Sequence, residues 1–223
     1  MKPTVLIGFL LAALIGACNP QASTKFPPGL EPVDPQNLAA DPAAQGGDHF
    51  PETINFERGS GTANGQSYAW VHGRGYIKAP IGKIWQAFQV ADAVTDRRNV
   101  DEWSATPNVE SGYRISFRVH QVVHALFDVS FETTWRQDVA SGENPDLPNT
   151  VVGAWQKTDG TTYIYLLAGS FLLRKVDAQT TEVQLMEHLA AYGKSADSAQ
   201  SFLQDMFANV TALAHDQPVP KVK

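Results

Sequence analysis

The chain has 223 residues, of which 43% are hydrophobic and 18% are charged, a composition that allows a domain with a real hydrophobic core and excludes a wholly disordered chain. Seventeen lysines and arginines stand against 23 aspartates and glutamates, a formal charge of -6. This acidity argues against a general nucleic-acid binder, which needs a basic face to meet phosphates. The single cysteine, Cys18, excludes an internal disulfide and a CxxC metal or redox site.

Residues 1–17 have the features of an export signal. Lys2 supplies the positive start, and the apolar run from Val5 to Ile15 is shorter than the ~20 residues that a membrane-spanning helix needs. The tetrapeptide Ile15-Gly16-Ala17-Cys18 resembles the bacterial lipobox, in which lipid is attached to the cysteine and cleavage occurs just before it. The alternatives are a plain signal peptide with a chance cysteine and an N-terminal membrane anchor.

The lipobox resemblance implies a lipoprotein of the bacterial cell envelope. Such proteins carry several acyl chains on this cysteine, and more than one chain makes anchoring stable. Asn19 follows Cys18. In lipoproteins of Gram-negative bacteria, an aspartate at that place tends to retain the protein on the inner membrane. Its absence favours the outer membrane, with the domain facing the periplasm.

Residues 18–66 are predicted to form a flexible tether rich in proline and glycine. Seven of the 14 prolines fall between residues 19 and 66, and no tryptophan does. Proline removes backbone donors and glycine adds chain entropy, so neither helix nor strand is favoured. Phe50, Ile54 and Phe56 are exceptions that could dock on the domain.

The globular pattern covers residues 67–217 and begins with a strand from Tyr68 to Ala79. Pro80 is suited to the first residue of a helix. The apolar residues that follow at helical spacing predict one buried helix face; they are Ile81, Ile84, Trp85 and Phe88. A second short helix is predicted from Val90 to about Asn99.

The segment from Tyr113 to His124 gives the clearest strand signal, because apolar residues alternate with mostly polar ones. The alternation restarts from Val129 to Trp135, which predicts an antiparallel hairpin. Residues Ser141–Asn149 have the composition of a loop. Four further strands are predicted, over Val151–Lys157, Thr161–Ala168, Phe171–Asp177 and Thr181–Ala191, with a bulge or break at Gly169-Ser170.

The domain ends in a long amphipathic helix over Ser198 to Ala214, which Pro218 and Pro220 terminate, leaving a tail of residues 218–223. The predicted fold class is α+β, with two short helices after the first strand. A curved antiparallel sheet wraps around the C-terminal helix, because a sheet with one apolar face buries that face under the only long helix.

This order of elements resembles the START-like, or SRPBCC, helix-grip superfamily. Residues 76–85 (YIKAPIGKIW) look like its first strand running into its first helix, and Gly169–Leu173 with Thr180–Val183 look like its later strand pair. The resemblance covers about residues 67–215. These motifs mark a fold and transfer no catalytic residue.

Helix-grip proteins commonly hold lipids, sterols, polyketides or other apolar molecules between sheet and helix, and an apolar lining suits such a pocket. The resemblance therefore implies a ligand-binding lining, and the alternative is a packed core with no cavity. The lining residues expected from strand and helix spacing are Phe117, Val119, Phe131, Trp135, Trp155, Tyr163, Tyr165, Leu185, Phe202 and Met206, with Val210 further along the helix.

Glu187 is the one candidate for acid–base chemistry. It shares strand parity with Val183, Leu185 and Leu189, so its carboxyl could face the apolar interior, where burial would raise its pKa. The favoured alternative is that the strand bulges or that Glu187 lies in water at the mouth of the pocket.

No metal or cofactor site is predicted. His120 and His124 share a strand face with Arg114 and Arg118, and together with His72 and His188 they reproduce no zinc motif. The sequence has no G-x-S-x-G elbow, no H-E-x-x-H and no phosphate-binding glycine loop.

Three functional hypotheses follow. The favoured one is an envelope-anchored protein that binds or carries an apolar small molecule. An interaction or structural lipoprotein with a filled core is the second, and an enzyme that acts on a pocket-bound substrate is the least favoured, because fold analogy alone supports no reaction.

Overall fold

The computed structural model describes residues 25–124, 128–144 and 147–221. The signal peptide, the lipobox and Cys18 lie outside the described residues. The elements, in chain order, are β1 (Ile54–Ala63), β2 (Gln66–Ile77), α1 (Ile81–Ala87), α2 (Ala91–Val94), β3 (Glu102–Pro107), β4 (Ile115–His124), β5 (Asp128–Asn144), β6 (Leu147–Gly160), β7 (Ile164–Lys175), β8 (Thr181–Ala191) and α3 (Ala196–Ala214).

All eight strands form one antiparallel sheet in the order β1-β2-β8-β7-β6-β5-β4-β3. The early hairpin β1–β2 therefore pairs with the last strand, β8, while β3 forms the opposite edge. Helix α3 follows β8 directly and packs on one face of the sheet, together with the short helices. We call this face the helix face and the opposite one the outer face. The predicted α+β architecture of a sheet closed by the C-terminal helix is confirmed.

The hydrophobic core lies between the helix face and helices α1 and α3. The rings of Phe88 and Phe171 stack with centroids 4.2 Å apart, and both side chains are fully buried. Gln137, also fully buried, accepts a hydrogen bond from Trp85 Nε1 at 2.8 Å and donates to the carbonyl of Phe88 at 3.0 Å. These bonds satisfy a polar side chain inside the core and fix α1 against the sheet.

The prediction of a flexible tether over residues 18–66 is wrong for its later part, since residues 54–63 form β1 and pair with β2 along its whole length. Two glycines of the predicted tether, Gly59 and Gly61, lie under aromatic rings. A Cβ on Gly59 would lie 2.4 Å from the Trp70 ring, and one on Gly61 would lie 2.6 Å from Tyr68. Glycine is required there by close packing across the hairpin and does not weaken the strand.

Residues 25–53 also belong to the folded domain, where they form an extended strap across the outer face. Leu30 is fully buried against Val152 and Leu172. The backbone N–H of Val33 donates to Ser170 Oγ at 3.1 Å, and Asn37 Nδ2 donates to the carbonyl of Gly73 at 2.9 Å. This proline-rich segment is held mainly by side-chain hydrogen bonds and by the buried side chain of Leu30, and the carbonyl of Thr53 accepts a backbone hydrogen bond from Tyr76 N–H at 3.1 Å.

Four smaller expectations also need correction. Residues 141–144 and 147–149 of the predicted loop belong to the paired strands β5 and β6, and Gly169-Ser170 lies inside the continuous strand β7. The edge strand β3 was not predicted, because its sequence EWSATP has little alternation. The second helix ends at Val94 instead of near Asn99. Among the described helices, none has the length and apolar character to cross a membrane.

Candidate ligand-binding cavity

A cavity of about 550 Å³ lies between the helix face and the start of α3, within the size range of small-molecule sites. Its wall is built by the ends of β4 to β8 that lie near the α3 N-terminus, and by the segment after α2. The lining residues are Val94, Asp96, Asn99, Val100, Gln121, Val123, Val129, Phe131, Thr133, Trp135, Trp155, Tyr163, Ile164, Leu167, Glu187, Leu189, Ala191, Tyr192, Lys194, Ser198 and Phe202.

Half of the predicted lining residues border this cavity. Phe131, Trp135 and Trp155 come from neighbouring strands, Tyr163 precedes β7, and Phe202 comes from α3. Trp135 and Trp155 stack with centroids 4.6 Å apart, and Phe202 meets Trp155 edge-on at 6.5 Å. Aromatic rings on facing elements therefore form one apolar wall.

The other half does not border it. Phe117, Val119, Leu185 and Met206 lie in the packed core, as does Val210. They share the sheet face and helix stripe with the lining residues, but their side chains are buried in the core and do not border the cavity. Tyr165 is 60% exposed, because a register shift between Ile164 and Leu166 interrupts the alternation on β7.

One row of residues crosses the sheet at the inner end of the cavity. The strand register places Trp135 opposite Trp155, Trp155 opposite Gly169, and Gly169 opposite Glu187. A Cβ on Gly169 would lie 2.1 Å from Cζ2 of Trp155. The missing side chain at Gly169 thus lets the Trp155 indole lie over β7 and toward Glu187.

Glu187 is buried, with 2% of its surface exposed, and Oε2 has no hydrogen-bond partner among the described residues. The favoured alternative, a bulge or a site in water, is wrong, because β8 pairs with β2 without a shift from Val183 to Leu189. Burial raises the pKa of Glu187 well above its ordinary value, the charge of Asp96 raises it further, and only the Trp155 indole opposes the rise. Burial therefore favours the uncharged form of the carboxyl.

A second polar group lies on the cavity wall after α2, where sequence reasoning had identified only a charged helix. Asn99 Nδ2 donates to Asp96 Oδ2 at 2.7 Å, and Lys194 Nζ donates to Asn99 Oδ1. Burial raises the pKa of Asp96, while the Asn99 hydrogen bond and the Lys194 charge act against the rise. These three side chains are partners for one another.

A cluster of Asp34, His72 and His188 lies on the outer face, between the strap and the sheet. Asp34 Oδ2 is 2.6 Å from His72 Nε2 and 2.7 Å from His188 Nε2. Sequence reasoning missed it because Asp34 fell in the predicted tether. Nδ1 of His72 accepts the Leu38 N–H at 3.0 Å, so in the neutral ring Nε2 carries the proton and donates to Asp34. A metal ion at Nε2 would have to displace that proton. The cluster therefore fits a carboxylate that accepts hydrogen bonds from histidines and holds the strap on the sheet, and not a metal site.

His120 and His124 lie on an exposed part of β4. His124 contacts Asp128 Oδ1 at 2.8 Å and Glu102 Oε1 at 3.1 Å, while His120 is 3.9 Å from Glu132. Hydrogen bonds to Asp128 and then Glu102 raise the pKa of His124 to about 9. These contacts are surface ion pairs beyond the cavity lining.

No protein-family model matches this sequence, and no curated protein matches it either. Solved structures do have a similar fold. The human StarD13 lipid transfer and protein localization domain has 10% identity and a TM-score of 0.48, with 78% of this chain and 87% of that chain covered. Human StAR-related lipid transfer protein 5 has 11% identity and a TM-score of 0.46, with 75% and 84% covered.

The Zhui aromatase/cyclase from Streptomyces sp. R1128 is similar at 14% identity and a TM-score of 0.37, with 66% of this chain and 88% of that chain covered. Every identity is below 25% and every TM-score is below 0.5 in these comparisons, so no ligand or activity is transferred from them. The element order, the strand order and the position of α3 give this chain a START-like helix-grip fold.

Proposed function

We propose that this protein binds or carries an apolar small molecule in the cavity between the sheet and α3. The observation that carries the proposal is the cavity itself, about 550 Å³ with an aromatic and aliphatic wall and few polar groups. Small-molecule sites have this size and composition. A structural protein with a filled core has no need for such a space, and empty apolar volume costs stability.

The test compares two substitutions on adjacent residues of β7. Leu167 lines the cavity, whereas Leu166 does not. Leu167→Trp should occupy the cavity and abolish uptake of an apolar fluorescent probe, while Leu166→Trp should leave uptake unchanged. Native mass spectrometry of the wild-type protein should detect a co-purifying apolar molecule. The carrier function fails if the wild-type protein takes up no probe and carries no extractable ligand.

An enzyme is the second candidate, and the observation that favours it is the buried carboxyl of Glu187 in the cavity, whose pKa burial raises. Glu187→Gln separates the two functions. A carrier should keep its affinity for ligand, while an enzyme that uses this carboxyl should still bind its substrate but lose turnover.

We also propose that Cys18 is acylated and anchors the protein to an envelope membrane, with the outer membrane favoured. Because the strap belongs to the domain, only the stretch from residue 18 to residue 25 would separate the lipid from the fold. That stretch reaches at most about 25 Å, so the domain would lie close to the bilayer. Cys18→Ser should release the protein from membranes or leave it unprocessed. Equal labelling of both proteins by a palmitate analogue would contradict the anchor.

A further inference from the structure

The inner end of the cavity contains polar atoms that the fold leaves without partners. Five buried side-chain polar atoms among the described residues lack a hydrogen bond of normal geometry, and three of them belong to lining residues: Trp135 Nε1, Trp155 Nε1 and Glu187 Oε2. The Trp155 indole nevertheless lies close enough to the Glu187 carboxyl to oppose the rise of its pKa as a hydrogen-bond donor. An unsatisfied buried donor or acceptor costs about 1–3 kcal/mol. Native proteins avoid this cost except where the group serves another purpose.

The three residues lie in the same cross-strand row, with only Gly169 between Trp155 and Glu187. By contrast, the other polar side chains of the wall have partners: Gln121 Nε2 donates to Thr133 Oγ1 at 3.0 Å, and Asp96, Asn99 and Lys194 bond among themselves. The unmet hydrogen-bonding capacity of the described buried wall therefore lies at the inner row, whereas Lys194 at the mouth is exposed to solvent.

We infer that the cavity selects apolar molecules with an uncharged carbonyl oxygen, which lies against the Glu187 carboxyl and the Trp135 and Trp155 indoles. This inference rests on the proposed function and deepens it. Indole Nε1 can only donate, and a protonated carboxyl adds an O–H donor, so the unmet groups call for an acceptor. A ketone, ester or quinone supplies one. A carboxylate is disfavoured, because Asp96 lies close enough to raise the pKa of Glu187 through its charge and would repel a second anion.

The test uses two probes of nearly equal shape on the full-length protein, 2-acetylnaphthalene and 2-ethylnaphthalene. Equilibrium dialysis gives the dissociation constant of each. The quantity of interest is the ratio of the two constants, compared between wild type and variants, because hydration of the free probes cancels in that comparison.

Removal of the carboxyl in Glu187→Leu should weaken binding of the ketone about five- to tenfold relative to the hydrocarbon, the worth of one net hydrogen bond. Trp155→Phe should lower the preference in the same direction. Glu187→Gln keeps a donor and should retain the wild-type ratio within about twofold. Trp103→Phe is the matched control, because its indole N–H already donates to Asp92 Oδ1 at 2.9 Å outside the cavity lining.

Two outcomes distinguish a failure of the carbonyl preference from a failure of the proposed carrier function. If both probes bind but the ratio is the same in wild type, Glu187→Leu and Trp155→Phe, the carbonyl preference is wrong and the carrier function stands. If neither probe binds to the wild-type protein, the proposed function fails first. Because Trp155→Phe tests the inference independently of Glu187, a folding defect in one variant does not remove the test.

Discussion

Two carboxyls on opposite faces of the same sheet have contrasting environments. Asp34, under the strap on the outer face, contacts His72 and His188 at 2.6 and 2.7 Å. Glu187, on the helix face, is more deeply buried, yet Oε2 has no hydrogen-bond partner among the described residues. Both lie on or against β8, and His188 and Glu187 are consecutive in the sequence.

This difference distinguishes the polar groups that hold the fold together from the polar group that is available to a ligand. The polar groups that hold the strap are satisfied by one another, as stable folds require. The unsatisfied group is the one that borders a cavity of about 550 Å³. Unmet hydrogen-bonding capacity next to open volume indicates where a ligand would complete the structure.

The largest expected effect is on the outer face, where Leu30 is the apolar anchor of the strap. Leu30→Ala should lower the free energy of unfolding by about 2–4 kcal/mol, within the range for buried leucines. Leu38→Ala in the same segment is the control, because that side chain is 50% exposed and its loss should cost less than about 0.5 kcal/mol. Equal, small effects in urea denaturation would mean that the strap is not part of the cooperative unit.

A smaller loss is expected at Gly169, between Trp155 and Glu187 in the cross-strand row. Gly169→Ala places a Cβ against the Trp155 ring, and overpacking of this kind costs about 1–3 kcal/mol. Displacement of the indole should also change the wavelength of maximum tryptophan fluorescence. Gly112→Ala is the control, since no atom lies within 4 Å of its ideal Cβ. Unchanged stability and emission in Gly169→Ala would contradict the close approach.

Replacement of Glu187 should increase stability. Glu187→Leu removes an unsatisfied buried carboxyl, and we expect a gain of about 1 kcal/mol at neutral pH. The raised pKa of Glu187 means that the unfolded chain releases this proton first as pH rises. Wild-type stability therefore falls above the ordinary glutamate pKa of about 4.5, and the advantage of Glu187→Leu should grow from pH 4 to pH 8. Thermal melting across that range measures it, and an advantage that shrinks with pH would contradict a buried neutral carboxyl.

The smallest effect is expected at Asp34, and its pH dependence has the opposite sign. Burial alone would raise the pKa of Asp34, but hydrogen bonds from His72 and then His188 lower it below its ordinary value. A depressed pKa contributes stability that is present above the ordinary aspartate value and is lost as pH falls below it. Asp34→Asn should therefore melt below wild type at neutral pH, and the gap should close below about pH 4. A difference in melting temperature that stays constant down to pH 3 would mean that the negative charge of Asp34 does not contribute to stability.

The alternation of apolar residues in β4, β5 and β8 predicts three strands and the face that each one buries. The helical stripe with Phe202 and Met206 predicts α3 in the same way, and both patterns are confirmed. The parity of Glu187 with Leu185 also indicates burial, although a bulge was favoured. These predictions succeed because the period of side-chain direction is local, at two residues in a strand and 3.6 in a helix.

The sequence alone could not distinguish a lining residue from a core residue. Met206 and Phe202 lie on one stripe of α3, but only Phe202 borders the cavity, while Met206 is buried in the core. Which part of a face is filled depends on elements distant in sequence.

The α+β class, the faces of most strands and the closing helix can be predicted from the sequence, since all three depend on residue spacing. Long-range packing, which residue spacing does not encode, lays residues 25–53 over the outer face and brings the row from Trp135 to Glu187 to the inner end of a cavity. Glycine and proline were interpreted as breakers because local propensity disfavours them. Their role here comes from partners distant in sequence: strand register places Trp70 over Gly59 and Trp155 over Gly169, and the proline-rich strap is held by packing of Leu30 against Val152.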